Sequence, residues 1–166
     1  YRSENLSIRI NKGEYNGAVY FAADIYVRDM KHFKTAFSSE YGKFELAKTP
    51  DMAKQNQAVL AISGDYYIYR KEGIVIRNGE VYRESLFEDV CYWYDDGRME
   101  TYAPDEFDLE KAVEDGAYQA WSFGPMLLKD GKVTDTFLSD VPSQNPRCVL
   151  GYFEPGQYGF LVVDGR

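Results

Sequence analysis

Three dipeptides, Asn78-Gly79, Asp96-Gly97 and Asp130-Gly131, each stand between short apolar runs. A two-residue reversal of this kind needs positive φ at its centre. Asn, Asp and Gly tolerate it, and the resulting twist matches that of two antiparallel strands. The dipeptides therefore predict hairpins over Ile74–Arg83, Cys91–Tyr102 and Met126–Val133. Asn16-Gly17 is a further turn signal, between the alternating stretch Leu6–Ile10 and the more apolar Ala18–Val27, which Asp24 interrupts. Within the hairpins, Arg77 falls opposite Glu80 and Asp95 faces Arg98, both attractive cross-strand pairs.

Helices are fewer. Thr49-Pro50-Asp51 reads as a start, with Thr as N-cap, Pro at the first helical position and an acid in the first turn; the helix runs to about Gln57. A second runs over Leu109–Asp115, with Asp108 as N-cap and Gly116 past its end. Residues 28–48 are mixed, with a short strand or turn around Phe33–Phe37. Ala117–Phe123, Cys148–Phe153 and Gly159–Val163 complete the strands, the last two joined at Glu154-Pro155-Gly156. The fold class is α+β: a mostly antiparallel or mixed sheet with several hairpins and two or three short helices. A length of 166 residues suits one domain with its own core.

The stretch Ala58–Tyr67 reads as the centre of that sheet. Ala58–Ile62 is an unbroken apolar run ending in Ser63-Gly64-Asp65, the pattern of a strand buried on both faces. Gly64 offers a permissive φ and close backbone approach. Asp65 then sits at a strand end, either aimed at a ligand or capping a turn.

Composition removes several function classes. A net charge of −8 with no Lys/Arg cluster argues against a nucleic-acid surface. No apolar stretch is long enough to span a bilayer; no signal peptide is visible within the chain, and Tyr1 in place of Met points to a trimmed or mature fragment. Cys91 and Cys148 fit no metal-ligand spacing, and a disulfide between them is allowed but not implied. The single histidine, His32, excludes a His-rich metal site and reads as a surface residue. Neither a GxSxG elbow, a P-loop nor an EF-hand loop occurs. Nothing calls for a metal or another cofactor. The 15 Tyr and 10 Phe favour strands first and sugar-lined clefts second.

Small and turn-forming residues gather at four strand ends, three of them charged: Ser63-Gly64-Asp65, Gly124-Pro125, Asn145-Pro146-Arg147 and Asp164-Gly165-Arg166. Together they suit an anionic, hydroxyl-rich ligand; singly, each is ordinary turn chemistry with solvated charge. Arginine's planar fork matches phosphate with two parallel charge-assisted bonds. Strand alternation puts Arg147 on the face opposite Cys148 and alongside Val149. There it needs an anion: Asp65, Asp164 or a ligand phosphate.

Four segments, in order, resemble the phosphodiester glycosidase family, which includes the catalytic domain of the lysosomal uncovering enzyme and many bacterial exported proteins. They are VYFAADIYV, TPDMAKQNQAVLAISGDYY with its A-I-N-G-D-F/Y-F/Y-like turn, WSFGPMLLKDGKV with its G-P-x-L-x-x-D-G-like hairpin, and NPRCVLGYFEPGQYGFLVVDGR with its x-P-R-T-A-x-G-like strand and V-D-G-R. Ser63 replaces the usual Asn and Cys148 the usual Thr. The resemblance implies hydrolysis of a sugar-1-phosphodiester at the anomeric carbon, releasing a phosphomonoester, on a cell-envelope or exported glycan. It assigns Asp65 and Asp164 to catalysis, and Ser63, Gly64, Gly124, Arg147 and Arg166 to substrate binding. In the family an E-L-A helix and an N-x-D-G-G-G-S turn follow the D-G-R. The expectation is thus a single domain lacking its C-terminal part, that part being absent or carried as a separate chain. An envelope or extracellular location follows from the same resemblance. The alternatives are a glycan- or phosphoglycan-binding module without turnover, and a structural domain whose turns hold no ligand.

Overall fold

The computed structural model describes residues 1–134 and 144–165. The hairpin grammar of the sequence is realised in two sheets. The first, sheet A, orders four strands as β1 (Leu6–Tyr15), β2 (Ala18–Val27), β11 (Gln157–Asp164) and β10 (Arg147–Glu154). The second, sheet B, orders β4 (Glu80–Ser85), β3 (Gly73–Arg77), β7 (Ala117–Ser122), β5 (Val90–Tyr94) and β6 (Met99–Tyr102). A small hairpin joins β8 (Leu128–Lys129) to β9 (Lys132–Val133). Every pairing is antiparallel. Among the described residues the chain is therefore mostly antiparallel sheet, with two short helices, α1 (Thr49–Gln55) and α2 (Leu109–Glu114), and single 3-10 turns at Met30–His32 and Pro104–Glu106.

The reversals fall where the Asx-Gly dipeptides put them. Asn16, Asn78 and Asp130 carry positive φ, as do the glycines after them. The Asp108 carboxylate caps α2, accepting the Lys111 N–H at 3.1 Å. In α1 the cap position is Lys48 instead of Thr49, so Thr49 is the first helical residue and no side chain caps the helix. Pro50 still lies in the first turn, where its missing N–H costs nothing.

Strand alternation divides the core in two. On sheet A, Ile8, Ala23, Ile25, Val27, Tyr158 and Phe160 face sheet B and meet Trp93 and Trp121. On the opposite face of sheet B, Ile74, Ile76, Val90, Tyr92 and Ala120 pack under α2 through Ala112 and Leu109. Sheet B is thus the middle layer, and β3, buried at all five positions, is its doubly covered strand.

That role was expected of Ala58–Ile62, which instead runs outside both sheets as an irregular segment that bends at Val59 and Leu60. A strand buried on both faces needs a hydrogen-bonding neighbour on each side. The centre of sheet B is already filled by β3, β7 and β5. The apolar run alternates instead: Leu60 and Ile62 lean on the Trp93–Trp121 core, while Val59 and Ala61 face out.

Candidate functional site

The turn Ser63-Gly64-Asp65 crosses from one sheet to the other. At one end the Ser63 N–H lies near the Cys148 sulfur on β10, at the edge of sheet A. In the middle, a Cβ on Gly64 would meet Trp121 Nε1 of β7 at 3.6 Å, an ordinary contact. Gly64 also has no positive φ. The backbone here does not require glycine, contrary to the sequence reading. At the other end, Asp65 Oδ1 accepts Arg77 Nη2 at 2.8 Å, and the two side chains are 4% and 5% exposed.

Arg77 is the functional-site neighbour that sequence reasoning missed. In register it stands opposite Glu80, as expected. Its charge, however, goes to Asp65, while Glu80 takes the Tyr82 hydroxyl at 2.8 Å. Arg77 Nη1 donates to the carbonyls of Ile76 and Ala120, and its guanidinium lies 5.7–5.9 Å from the ring centres of Trp121, Phe37 and Tyr67. The signal was available in the alternation of β3. Ile74 and Ile76 share one core, so Val75 and Arg77 face the other, where a buried cation needs a carboxylate. The pair expected between Asp95 and Arg98 is likewise replaced: Arg98 holds Asp96 at 2.6 Å and Glu100 at 3.2 Å. A charge two residues away in a tight turn lies nearer than the residue across it.

The segment 33–37 is tied to the back of this pair. Thr35 Oγ1 and the Asn78 N–H both donate to Gln119 Oε1, at 2.7 and 3.0 Å, and Gln119 Nε2 donates to Asn78 Oδ1 at 2.9 Å. Gln119 is fully buried, so these bonds satisfy an amide that would otherwise be costly. They fix Phe37 beside Arg77 and keep water from the ion pair.

Three of the four turns converge. The Ser63 N–H lies near the sulfur of Cys148, the residue after Arg147. Gly165, next to Asp164, lies so close to Asn145 that a Cβ would sit 2.1 Å from its carbonyl oxygen; only glycine fits. Convergence does not put every side chain on one face. Arg147 pairs in register with Val163, Cys148 with Val162, and Asp164 with Val19. By alternation Cys148 and Asp164 share the inner face of sheet A, and Arg147 belongs to the outer face. Gly124 lies apart, held by carboxylates: its N–H donates to Glu88 at 3.2 Å, and the Met126 N–H to Asp89 at 2.8 Å. An amide engaged by an acid is poorly placed to bind phosphate. Arg166 lies outside the described residues.

The two cysteines do not pair. Burial pushes the Cys91 thiol up to about 12. Burial also raises Cys148, and the Ser63 N–H offsets that in part by stabilising the thiolate. Iodoacetamide at pH 8 should therefore leave Cys91 unmodified in the folded protein, with labelling appearing only in urea; modification of native Cys91 at the unfolded rate would show that this strand opens. Among the described residues no group of three His, Cys, Asp or Glu side chains converges to hold a metal ion. No helix there is long and apolar enough to cross a membrane. Surface cavities of about 480 and 760 Å³ are lined by none of the candidate residues.

The profile described as Phosphodiester glycosidase matches residues 56–166. A curated relative, the SPbeta prophage-derived uncharacterized protein YomE of Bacillus subtilis (strain 168), is 29% identical over 139 residues. That alignment covers 78% of this chain and 22% of the relative, so the chain spans under a quarter of the relative's length.

Proposed function

The chain belongs to the phosphodiester glycosidase family, and on that premise we propose that it hydrolyses a sugar-1-phosphodiester at the anomeric carbon and releases a phosphomonoester. The observation that carries this reading is the extent of the match, residues 56–166, which takes in Ser63, Gly64, Asp65, Gly124, Arg147, Asp164 and Arg166 together. The chemistry suits these residue types. A phosphate monoester leaves as a stable anion, so it asks less of a general acid than a sugar alkoxide does. It asks instead for a cation, the role given to Arg147 and Arg166. Positive charge growing at the anomeric carbon is met by a carboxylate that stabilises it, attacks it or activates water, the role given to Asp65 and Asp164. The substrate is placed on a cell-envelope or exported glycan, and the protein outside the cytoplasm, as part of the same proposal.

One observation favours a second reading, a glycan-binding module without turnover. Asp65 is buried against Arg77 at 2.8 Å, an arrangement that spends the carboxylate on the fold. A single assay separates the two. The methyl phosphodiester of α-N-acetylglucosamine 1-phosphate is incubated with residues 1–166 and with the longest natural polypeptide containing them, and free sugar is measured. Turnover lost in Asp164→Asn supports the glycosidase. Saturable binding with no turnover in either polypeptide supports the module.

A further inference from the structure

Between the turn at Met30–His32 and α1 the chain crosses over the Asp65–Arg77 pair without forming an element. A connection this long with no element of its own is uncommon in a compact domain unless it has a function. Its two ends are fixed. Thr35 exchanges two bonds with the Asn78 side chain, its N–H donating to Oδ1 at 3.0 Å and its carbonyl accepting Nδ2 at 2.9 Å. The other end is the first turn of α1. In between, residues 36–47 include no buried residue. Among the described residues they make a single backbone–backbone hydrogen bond, from the Lys43 N–H to the Glu40 carbonyl at 3.0 Å. What holds them down is aromatic. Phe37 and Tyr41 stand against Tyr67 and against Tyr82 of β4, with ring centres 4.9–6.2 Å apart, and Phe44 meets Tyr69 edge-on at 5.2 Å. The one outward polar tie among the described residues is the Tyr67 hydroxyl. It accepts the Ser38 N–H at 3.3 Å and lies 3.2 Å from Ser38 Oγ, which in turn donates to the Glu45 carbonyl at 2.6 Å.

Residues 36–47 therefore rest on the segment that directly follows the Ser63-Gly64-Asp65 turn. Their Phe37 ring also lies 5.9 Å from the Arg77 guanidinium that holds Asp65. A stretch with no buried residue and almost no backbone hydrogen bonds is among the first parts of a native protein to open. The Asp65 side chain beneath it, 4% exposed, does not reach a substrate as it stands. We propose that residues 36–47 are a hinged strap, latched by the Tyr67 hydroxyl, that shields Asp65 in the resting form and lifts to admit substrate. The proposal rests on the reading of Asp65 as a catalytic group of a glycosidase. The strap pivots at the Thr35 anchor and at the start of α1. Few bonds break when it lifts, and none of them belongs to either sheet. Only the lifted fraction binds substrate, so a tighter latch weakens apparent affinity and a looser one strengthens it.

Three variants of the folded chain test this. Tyr67→Phe removes the latch and keeps the ring. Tyr41→Ala loosens the strap from its own side. Tyr66→Phe is the control, since the Tyr66 ring meets Tyr69 and Phe123 and its hydroxyl makes no hydrogen bond among the described residues. Two rates are measured: trypsin cleavage after Lys43 at urea concentrations below the unfolding transition, and labelling of Asp65 by a water-soluble carbodiimide with glycine ethyl ester. In the wild type, cleavage after Lys43 is insensitive to urea in that range, because lifting the strap exposes little surface. Tyr67→Phe raises both rates together by roughly fivefold to tenfold, the scale of one hydrogen bond. Tyr41→Ala also raises both, and Tyr66→Phe raises neither. Cleavage that climbs steeply with urea means that the segment opens only with the whole fold, and overturns the proposal. So does Asp65 labelling that stays at the wild-type rate in Tyr67→Phe and Tyr41→Ala. Turnover of the methyl phosphodiester separates the strap from the glycosidase. In an active protein Tyr67→Phe lowers KM and leaves kcat unchanged; an unaltered KM sinks the strap as a gate and keeps the glycosidase. Accelerated Asp65 labelling with no turnover in either polypeptide does the reverse.

Discussion

Arg77→Met should destabilise the fold by about 3–5 kcal/mol, the cost of leaving a buried partner charge uncompensated. The Asp65 carboxylate, 4% exposed, has no water to turn to when its partner at 2.8 Å is removed. Asp65→Asn should cost a similar amount for the converse reason. Arg77 is enclosed by the rings of Phe37, Tyr67 and Trp121 and cannot carry its charge to the surface. By shape alone, Asp65→Asn is a mild change; the ion pair makes it a severe one. The double variant Asp65→Leu/Arg77→Met should recover most of the loss, because two apolar side chains remove both desolvation penalties together. Urea unfolding of the wild type, Asp65→Leu, Arg77→Met and the double variant reads the cycle. Additive single effects, or singles below about 1 kcal/mol, would mean that the pair does not hold the Ser63 turn in place. The result also bears on activity. An inactive Asp65→Asn protein counts as evidence for catalysis only where the folded fraction has been measured.

The hairpins were legible because their information is local. Asn78-Gly79 and Asp130-Gly131 specify their own backbone, and the alternation beside them then fixes which residues are buried. The segment Ala58–Ile62 was misread because an apolar run reports burial, not pairing. Whether it becomes a strand depends on a free sheet edge, and β3, β7 and β5 had taken the centre of sheet B. The same limit applies to charge. Arg77 opposite Glu80 is a local fact and correct in register, yet the cation turned to Asp65 across the core because burial makes an ion pair worth more there than at the surface. The convergence of the Ser63, Asn145 and Gly165 segments was expected from their common resemblance. The division of Arg147 and Asp164 between two faces needed the register of β10 on β11 and of β11 on β2, which no single segment contains.

Trp93→Ala should lower the melting temperature by roughly 6–20 °C, from a loss of about 3–5 kcal/mol at about 2–4 °C per kcal/mol for a domain of this size. Trp93 is fully buried where the two sheets meet, with ring centres 4.1 Å from Phe33, 4.4 Å from Tyr158 and 5.6 Å from Trp121. Removing the indole takes away its contacts to Phe33 and to Tyr158 of sheet A, together with the transfer energy of the ring. Trp93→Phe should cost much less, and for a specific reason. The Trp93 N–H leans on the Tyr158 hydroxyl without reaching hydrogen-bond geometry among the described residues, and that hydroxyl already donates to the Gly97 carbonyl at 2.7 Å. A buried donor without a full partner costs about 1–3 kcal/mol, which phenylalanine does not incur. The gain offsets part of the lost ring volume. Differential scanning calorimetry of the wild type and both variants reads the comparison directly. Equal losses in the two would show that the N–H is satisfied, by water or by a closer approach to Tyr158. A Trp93→Ala change below about 1 kcal/mol would show that the two sheets are held together by something other than this aromatic contact.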